Sequence, residues 1–201
     1  MGSRIMHFTI ATILAGKLGI HDESFLVGGI APDASKHINA PKQKSHFVYK
    51  DAEGHSFVNH ERFCRNYLSE QARPFHLGYY CHLIADNIWL QDIYYPKVKW
   101  LEANEKKETQ QRYYNDFRRL NGILIDHYHL EWKDMNPIAE EIDEIDWACL
   151  PALIADLKDD FERKDDTRGE ALQFFRLEDI FRYIEKSVHL SMEAIADKVT
   201  V

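Results

Sequence analysis

Residues 74–95 have the sequence PFHLGYYCHLIADNIWLQDIYY, and this stretch decides the fold. Proline is tolerated in the first turn of a helix, and the apolar side chains that follow it recur at helical spacing. His82 and Asp86 stand four residues apart, so both side chains lie on one helix face. That face continues with the apolar and aromatic residues Phe75, Tyr79, Trp89 and Ile93. The stretch therefore predicts a core helix that turns a polar pair toward the interior.

A buried carboxylate without a partner is costly, so something must neutralise Asp86. The candidates are a metal ion, another cation and a hydrogen-bond network. His82 itself is close enough along the helix to be the partner of Asp86. On spacing alone, all of these candidates remain open.

Helical spacing also dominates the rest of the 201-residue chain. Further helices are predicted over residues 4–18, 55–72, 105–132, 137–147, 151–164 and 178–199, and residues 24–33 predict a short helix that runs into a buried loop. Residues 34–54 are rich in Lys, Ser, Pro and Asn and predict a long surface connection. No segment alternates convincingly as a strand. We therefore expect an all-α fold, a multi-helix bundle in which residues 1–201 form a single domain.

Composition and charge narrow the function classes. The chain is 45% hydrophobic and carries 25 basic against 33 acidic residues, a net charge of -8, which excludes a disordered or collagen-like chain. An acidic chain lacks the basic surface of a nucleic-acid-binding domain, and no segment forms a basic amphipathic membrane helix. Tyr79, Trp89 and Tyr113 would offer stacking surfaces for single-stranded nucleic acid, although core packing is the simpler interpretation.

The three cysteines, Cys64, Cys81 and Cys149, are an odd number without CxxC spacing. This pattern is typical of buried free thiols in a reducing compartment. The apolar run over residues 5–15 is too short to span a bilayer and is not followed by a convincing cleavage site for a signal peptide. We therefore expect a cytoplasmic protein.

Together with His82 and Asp86, three further nitrogen and oxygen donors stand out by their surroundings. His7, Asp33, His46, His82 and Asp86 follow one another within the first 90 residues, each in an apolar or glycine-rich context. Taken singly, they are explained as core histidines, a turn aspartate and a loop histidine. Taken together, they are the donor types that zinc or a similar divalent ion prefers.

Four motifs in this order resemble those of the zinc-dependent phospholipase C family, whose all-helical fold is shared with zinc-dependent single-strand nucleases. They are HFTIA from His7, GGIAPD up to Asp33, SHF around His46 and HLIAD from His82 to Asp86. The similarity covers residues 4–93 and implies two or three zinc ions. It implies that His7 binds one ion, that Asp33, His46 and His82 bind another, and that Asp86 bridges the two. It also implies a general-base role for Asp33.

Two features of that family are missing here. The secreted members use an N-terminal tryptophan as a metal ligand well before the first histidine, whereas the six residues before His7 contain no tryptophan. The family also carries a histidine ten residues after the position of His82, where this chain has Asp92. On an ideal helix, Asp92 points about 80° away from the His82 face.

Two replacements compete for the remaining ligand position. His127 and Glu131 form an HxxxE pair that is similar to the last two ligands of the family, whereas Asp116 shares an apolar stripe with Tyr113 and Leu120. Asp116 and His127 lie about 16 Å apart along a helix, so they cannot bind the same ion. We favour Asp116, because its surroundings are apolar and resemble those in short intracellular members of the family. His127 stands near the predicted helix end, where exposure is expected.

These observations predict a metal-dependent hydrolase that acts on a small-molecule phosphoester through a metal-activated water, with Asp33 as the catalytic residue. The six predicted metal ligands are His7, Asp33, His46, His82, Asp86 and Asp116. Zn²⁺ is the expected ion, and Mn²⁺ or Fe²⁺ suits the same donors. Phospholipid is not favoured as the substrate, because the chain shows no membrane signal.

Two alternatives lead to other functions. An HD-type phosphohydrolase is also helical and metal-dependent, but it needs an adjacent His-Asp doublet in apolar surroundings. His21-Asp22 is the one such doublet in the chain, and it stands after Gly19, where a helix is expected to begin. The other alternative is a non-catalytic helical protein that binds a partner, derived from the hydrolase fold, whose inherited ligands have become core hydrogen-bonding groups.

Overall fold

The computed structural model describes residues 2–38, 41–68, 73–136 and 142–196, and these residues are mostly helical. In chain order the elements are α1 (Arg4–Leu18), α2 (Ser24–Ile30), a 3-10 helix (Ala31–Ile38), α3 (Lys42–Ser45), β1 (Val48–Lys50), β2 (Ser56–Val58), α4 (His60–Tyr67), α5 (Pro74–Trp89), a π-helix (Leu90–Lys99), α6 (Ala103–His127), a second 3-10 helix (Trp147–Cys149), α7 (Leu150–Glu162) and α8 (Leu177–Ile195). Among the described residues, no helix is both long and apolar enough to cross a membrane.

The first helix has the bounds that the sequence predicts, because both of its ends carry strong signals. The side chain of Ser3 accepts a hydrogen bond from the amide of Met6 at the start of α1. Gly19 ends the helix in the left-handed region at φ 65, which glycine adopts without a steric penalty.

The short hairpin of β1 and β2 contradicts the prediction that the chain contains no strand. The two strands pair antiparallel, with Val48 opposite Val58, and the helix predicted from residue 55 begins instead at His60. Asn59 sets this start, since its side chain accepts a hydrogen bond from the amide of Arg62. Strands of three residues are too short for an alternating pattern to be visible in the sequence.

Several predicted helix ends also differ. The helix predicted over residues 74–95 is α-helical to Trp89 and continues as a π-helix that contains Pro96. The long helix predicted to residue 132 ends at His127. Of the helix predicted over 137–147, residues 137–141 lie outside the described residues. Residues 142–146 are not helical, and Trp147 begins the second 3-10 helix. The last helix was predicted to residue 199, but α8 ends at Ile195, and residues 197–199 lie outside the described ones.

Helix α5 packs against α1, α2, α4 and α8. Its contact with α2 is very close: a Cβ built on Gly78 would lie 2.0 Å from the carbonyl oxygen of Phe25, and one built on Gly28 would lie 2.0 Å from that of Phe75. Only glycine therefore fits at either position, and the two helix backbones touch directly.

Aromatic side chains fill much of the core around α5. Tyr79 and Trp89 are fully buried, and Tyr113 is almost so. The indole nitrogen of Trp89 donates a hydrogen bond to the hydroxyl of Tyr113 at 2.7 Å. Tyr79 and Trp89 are therefore core residues and not exposed stacking surfaces for nucleic acid.

Candidate metal centre

Five of the six predicted ligands meet in the interior. The Nε2 atom of His7 lies 3.2 Å from Oδ1 of Asp86, and the Nε2 atoms of His46 and His82 each lie 3.5 Å from its Oδ2. Asp33 joins through its Oδ1, which is 3.4 Å from Nε2 of His46. All five side chains are buried, and Asp86 has no exposed surface. We call these five residues the His–Asp cluster.

Four separate parts of the chain supply the cluster. Helix α1 carries His7, the 3-10 helix after α2 carries Asp33, and α5 carries both His82 and Asp86. His46 directly follows α3. Phe47, the next residue, has a φ of 50, which is uncommon for a bulky side chain, and its ring packs on Phe63 and Tyr79.

Backbone carbonyls orient two of the histidines. Nδ1 of His82 lies 2.8 Å from the carbonyl oxygen of Gly29, and Nδ1 of His46 lies 3.1 Å from that of Lys42. A carbonyl oxygen can only accept, so each of these hydrogen bonds requires the proton on Nδ1, and the Ser45 hydroxyl, 2.9 Å from Nδ1 of His46, would accept as well. In that tautomer of the neutral ring, Nε2 has a lone pair that faces the cluster. Metal-binding histidines are held in this way. The close packing of α2 on α5 is what brings Gly29 within reach of His82.

Several polar atoms of the cluster are buried without a hydrogen-bond partner. They are both ring nitrogens of His7, Nε2 of His46, Nε2 of His82 and both carboxylate oxygens of Asp86. The contacts of 3.2 to 3.5 Å among them do not have hydrogen-bond geometry. Buried polar atoms without a partner are rare in native proteins, because each is costly. A divalent cation would satisfy these atoms.

The donor set fits a divalent ion. Ligand atoms of His7, Asp33 and His82 all lie within 4.8 Å of one another, as do those of His46, His82 and Asp86. Imidazole nitrogens combined with carboxylate oxygens suit zinc, iron and manganese. His82 belongs to both groups, so the five residues form one continuous centre.

Charge coupling inside the cluster is strong. Burial raises the pKa of Asp86, but His82 and His7 outweigh burial, so the pKa lies well below its ordinary value. Burial lowers the pKa of His82, but the Asp86 carboxylate outweighs burial and raises it overall. Burial and the neighbouring His82, whose ring stacks on His7 at 3.7 Å, lower the pKa of His7 to about 4. His82 and Asp86 therefore stabilise each other's charged form, and a metal ion at Nε2 of His82 would compete with a proton for that nitrogen.

Lys42 also reaches the cluster, and the sequence analysis missed it. Its Nζ lies 3.1 Å from Oδ1 of Asp33. Burial raises the pKa of Asp33, but Lys42 outweighs it and, with His46, holds that pKa well below its ordinary value. Burial lowers the pKa of Lys42, but the Asp33 carboxylate outweighs burial, so the pKa of Lys42 is raised overall. Residues 34–54 were predicted to be a surface connection, and the one signal was that Lys42 precedes His46 by one helical turn.

Asp116 is buried, but it belongs to a different structure. Its carboxylate accepts hydrogen bonds from the backbone amides of Gln173, Phe174 and Phe175 at 2.7 to 3.0 Å, and the guanidinium of Arg119 lies 3.0 Å from its Oδ1. Asp116 therefore fixes the segment before α8 to α6. It is not part of either buried donor group, so the geometry gives it a structural role in place of the predicted metal ligation.

We expect Asp116→Asn to lower the free energy of unfolding by about 2 kcal/mol. The variant loses the charge that strengthens these hydrogen bonds, and the NH₂ group of its side chain would face backbone N–H donors. Bound metal should be unchanged. Denaturant unfolding and metal analysis measure both quantities. Asp92→Asn is the matched control, since Asp92 is exposed and pairs only with Lys186 in the described part of the chain. Loss of metal in Asp116→Asn would restore the ligand interpretation.

The other candidates lie on the surface. Asp92 and Glu131 are exposed, and the exposed ring of His127 stacks on Phe181 with centroids 4.4 Å apart. None of the three belongs to a donor group among the described residues.

The His21-Asp22 doublet is exposed as well. The Asp22 carboxylate accepts a hydrogen bond from the amide of Ser24, the first residue of α2. Such a turn role explains the doublet without a metal, and no buried apolar setting surrounds it.

The His–Asp cluster is where the ordered motifs of the first 90 residues converge, although the sequence spreads them over four elements. The geometry of the cluster rests on distances and burial within this chain and not on similarity to another protein. The resemblance to the zinc-dependent phospholipase C family rests on those motifs, because no protein-family model, curated protein or solved structure matches the chain.

Proposed function

We propose that this chain is a metal-dependent hydrolase of phosphoesters, with zinc as the first candidate ion and a helical fold of the zinc-dependent phospholipase C and nuclease type. One observation carries the proposal: five buried nitrogen and oxygen donors converge, and several of their atoms lack hydrogen-bond partners. Structural salt bridges alone do not explain this arrangement, because buried charges without good hydrogen bonds are costly.

The residues of the cluster divide the work. His7, Asp33, His46, His82 and Asp86 would hold the metal, and a bound divalent ion would supply an activated water and positive charge for a phosphoryl oxygen. Asp33 stays ionised at neutral pH, because Lys42 and His46 hold its pKa low. A carboxylate of low pKa is a weak base, so Asp33 orients the attacking water by accepting its hydrogen bond and removes a proton less readily.

The experiment that tests this function measures metal per chain together with activity on a panel of phosphoesters. We expect one or more zinc, iron or manganese ions per chain, and hydrolysis by a metal-loaded protein. His82→Ala and Asp33→Ala should each lose metal and activity, because each removes a donor from the cluster. His189→Ala is the control, since His189 is exposed and far from the cluster in the chain.

The partner-binding alternative makes the opposite prediction. If the protein takes up no ion after growth and reconstitution with zinc, manganese and iron, the cluster is a hydrogen-bonded core and the hydrolase proposal is wrong. If metal binds but is lost in a His21→Ala variant and not in His82→Ala, the HD-type alternative is the better account. No geometric observation in the described residues favours either alternative.

A further inference from the structure

A cavity of about 400 Å³ opens beside the cluster. The π-helix and α6 form two of its sides, and the hairpin and α3 form the others, with Asp86 among the lining residues. Pockets of this size hold ligands much larger than a phosphate ion. Phosphate bound at the cluster would therefore leave most of the cavity unfilled.

The lining of the cavity is mainly apolar or aromatic. The π-helix presents Leu90, Tyr94 and Val98 at spacings of four residues, and α6 contributes Tyr113 and Phe117. Gln43, Ser56 and Gln110 add uncharged polar groups. Apolar walls with a few polar groups are typical of sites for uncharged organic groups.

Few of the residues that line the cavity carry charge. Among the lining residues that the structure describes, Asp86 and Lys42 carry charge. Lys42 is half-exposed and holds its ammonium group beside Asp33, within the reach of an anion at the cluster. A single lysine matches a single phosphoryl group, whereas a polyanion needs several cations along its length.

We propose that this cavity binds the organic part of a phosphoester that carries one phosphoryl group and an uncharged, largely apolar organic group, and that Lys42 contacts a phosphoryl oxygen. This inference rests on the proposed function, because it places the phosphoryl group at the His–Asp cluster. Lys42 is then a specificity-determining residue, and the walls of the cavity select the organic group.

The test uses non-hydrolysable phosphonates and measures their binding to the zinc-loaded protein by calorimetry. Phenylphosphonate should bind about tenfold more tightly than methylphosphonate, because the ring is removed from water by the cavity walls. Pyrophosphate, with more charge and no apolar group, should bind more weakly than phenylphosphonate.

A matched pair of variants locates the site. Gln110→Trp places a large side chain in the cavity and should abolish the preference for phenylphosphonate while zinc content stays unchanged. Gln111→Trp makes the same substitution one residue along α6, at an exposed position that does not line the cavity, and should keep the preference. Equal preferences in these two variants would overturn the assignment of the cavity.

A second pair tests the lysine. Lys42→Ala should weaken binding of both phosphonates about tenfold, because each has the same anionic group. Lys44→Ala should leave binding unchanged, since its exposed ammonium group donates to the backbone carbonyl of Asp143. Unaltered phosphonate binding by zinc-loaded Lys42→Ala would contradict the role of Lys42.

The outcomes distinguish failure of this inference from failure of the proposed function on which it rests. A wild-type protein that binds zinc and hydrolyses phosphoesters, but binds methylphosphonate and phenylphosphonate equally, overturns the substrate class and leaves the hydrolase proposal standing. A wild-type protein that takes up no metal overturns both, and metal analysis alone reveals that result.

Discussion

Gly78→Ala is expected to lower the free energy of unfolding by about 3 kcal/mol or more, which is the upper end for overpacking a protein core. The added Cβ would lie 2.0 Å from the carbonyl oxygen of Phe25, and backbone atoms cannot rotate away as a side chain can. Helices α2 and α5 would have to separate. Denaturant unfolding of the variant beside the wild type measures the loss.

Separation of these helices should also weaken metal binding. The carbonyl of Gly29 on α2 holds Nδ1 of His82 on α5 at 2.8 Å, and that contact depends on the close approach. We therefore expect Gly78→Ala to bind zinc less tightly even where it remains folded.

Gly16→Ala is the matched control for this substitution. Gly16 lies within α1, and a Cβ at that position meets no atom within 4 Å. Alanine there should raise the free energy of unfolding by about 0.5 to 1 kcal/mol, since it reduces the entropy lost on folding. A Gly78→Ala variant as stable as Gly16→Ala would contradict the close contact between α2 and α5.

Removal of metal should produce the other large effect. Chelation of a metal-loaded wild-type protein is expected to lower the melting temperature by about 10 °C, because an ion present at a thousand times its Kd stabilises the folded state by about 4 kcal/mol. Asp86 contacts three histidines of the cluster, so Asp86→Asn, which keeps the shape but not the charge, should show no change in melting temperature on chelation.

Asp92→Asn is the control for the chelation experiment and should respond as the wild type does, because Asp92 is exposed and outside the cluster. Thermal unfolding with and without chelator gives the comparison. A wild-type melting temperature that is independent of metal and chelator would count against the metal centre.

The sequence predicts the helical class and identifies the five residues that converge in the His–Asp cluster. Both predictions rest on patterns of neighbouring residues. Capping by Ser3 and Gly19 fixes α1, and apolar spacing fixes α5. Polar residues within apolar segments can be recognised in the sequence. They indicate a site, because a buried polar residue needs a partner.

What the sequence does not show depends on contacts between distant residues. The apolar stripe around Asp116 correctly indicates burial, but its partners are backbone amides 57 to 59 residues further on, and amides leave no trace in residue types. In the sequence Lys42 stands in a polar segment, and only the fold places it against Asp33. The switch from α-helix to π-helix after Trp89 likewise has no local signal in the apolar pattern.

The contact between α2 and α5 has a consequence for tracing relatives of this chain. Gly28 on α2 and Gly78 on α5 are far apart in the sequence. At each position, the backbone of the other helix leaves room for glycine alone. A divergent homologue that has replaced either glycine must space these helices differently and lose the support of His82. Joint retention of the two glycines therefore offers a criterion, independent of the five cluster residues themselves, for selecting from distant sequences those that have kept the geometry of the His–Asp cluster.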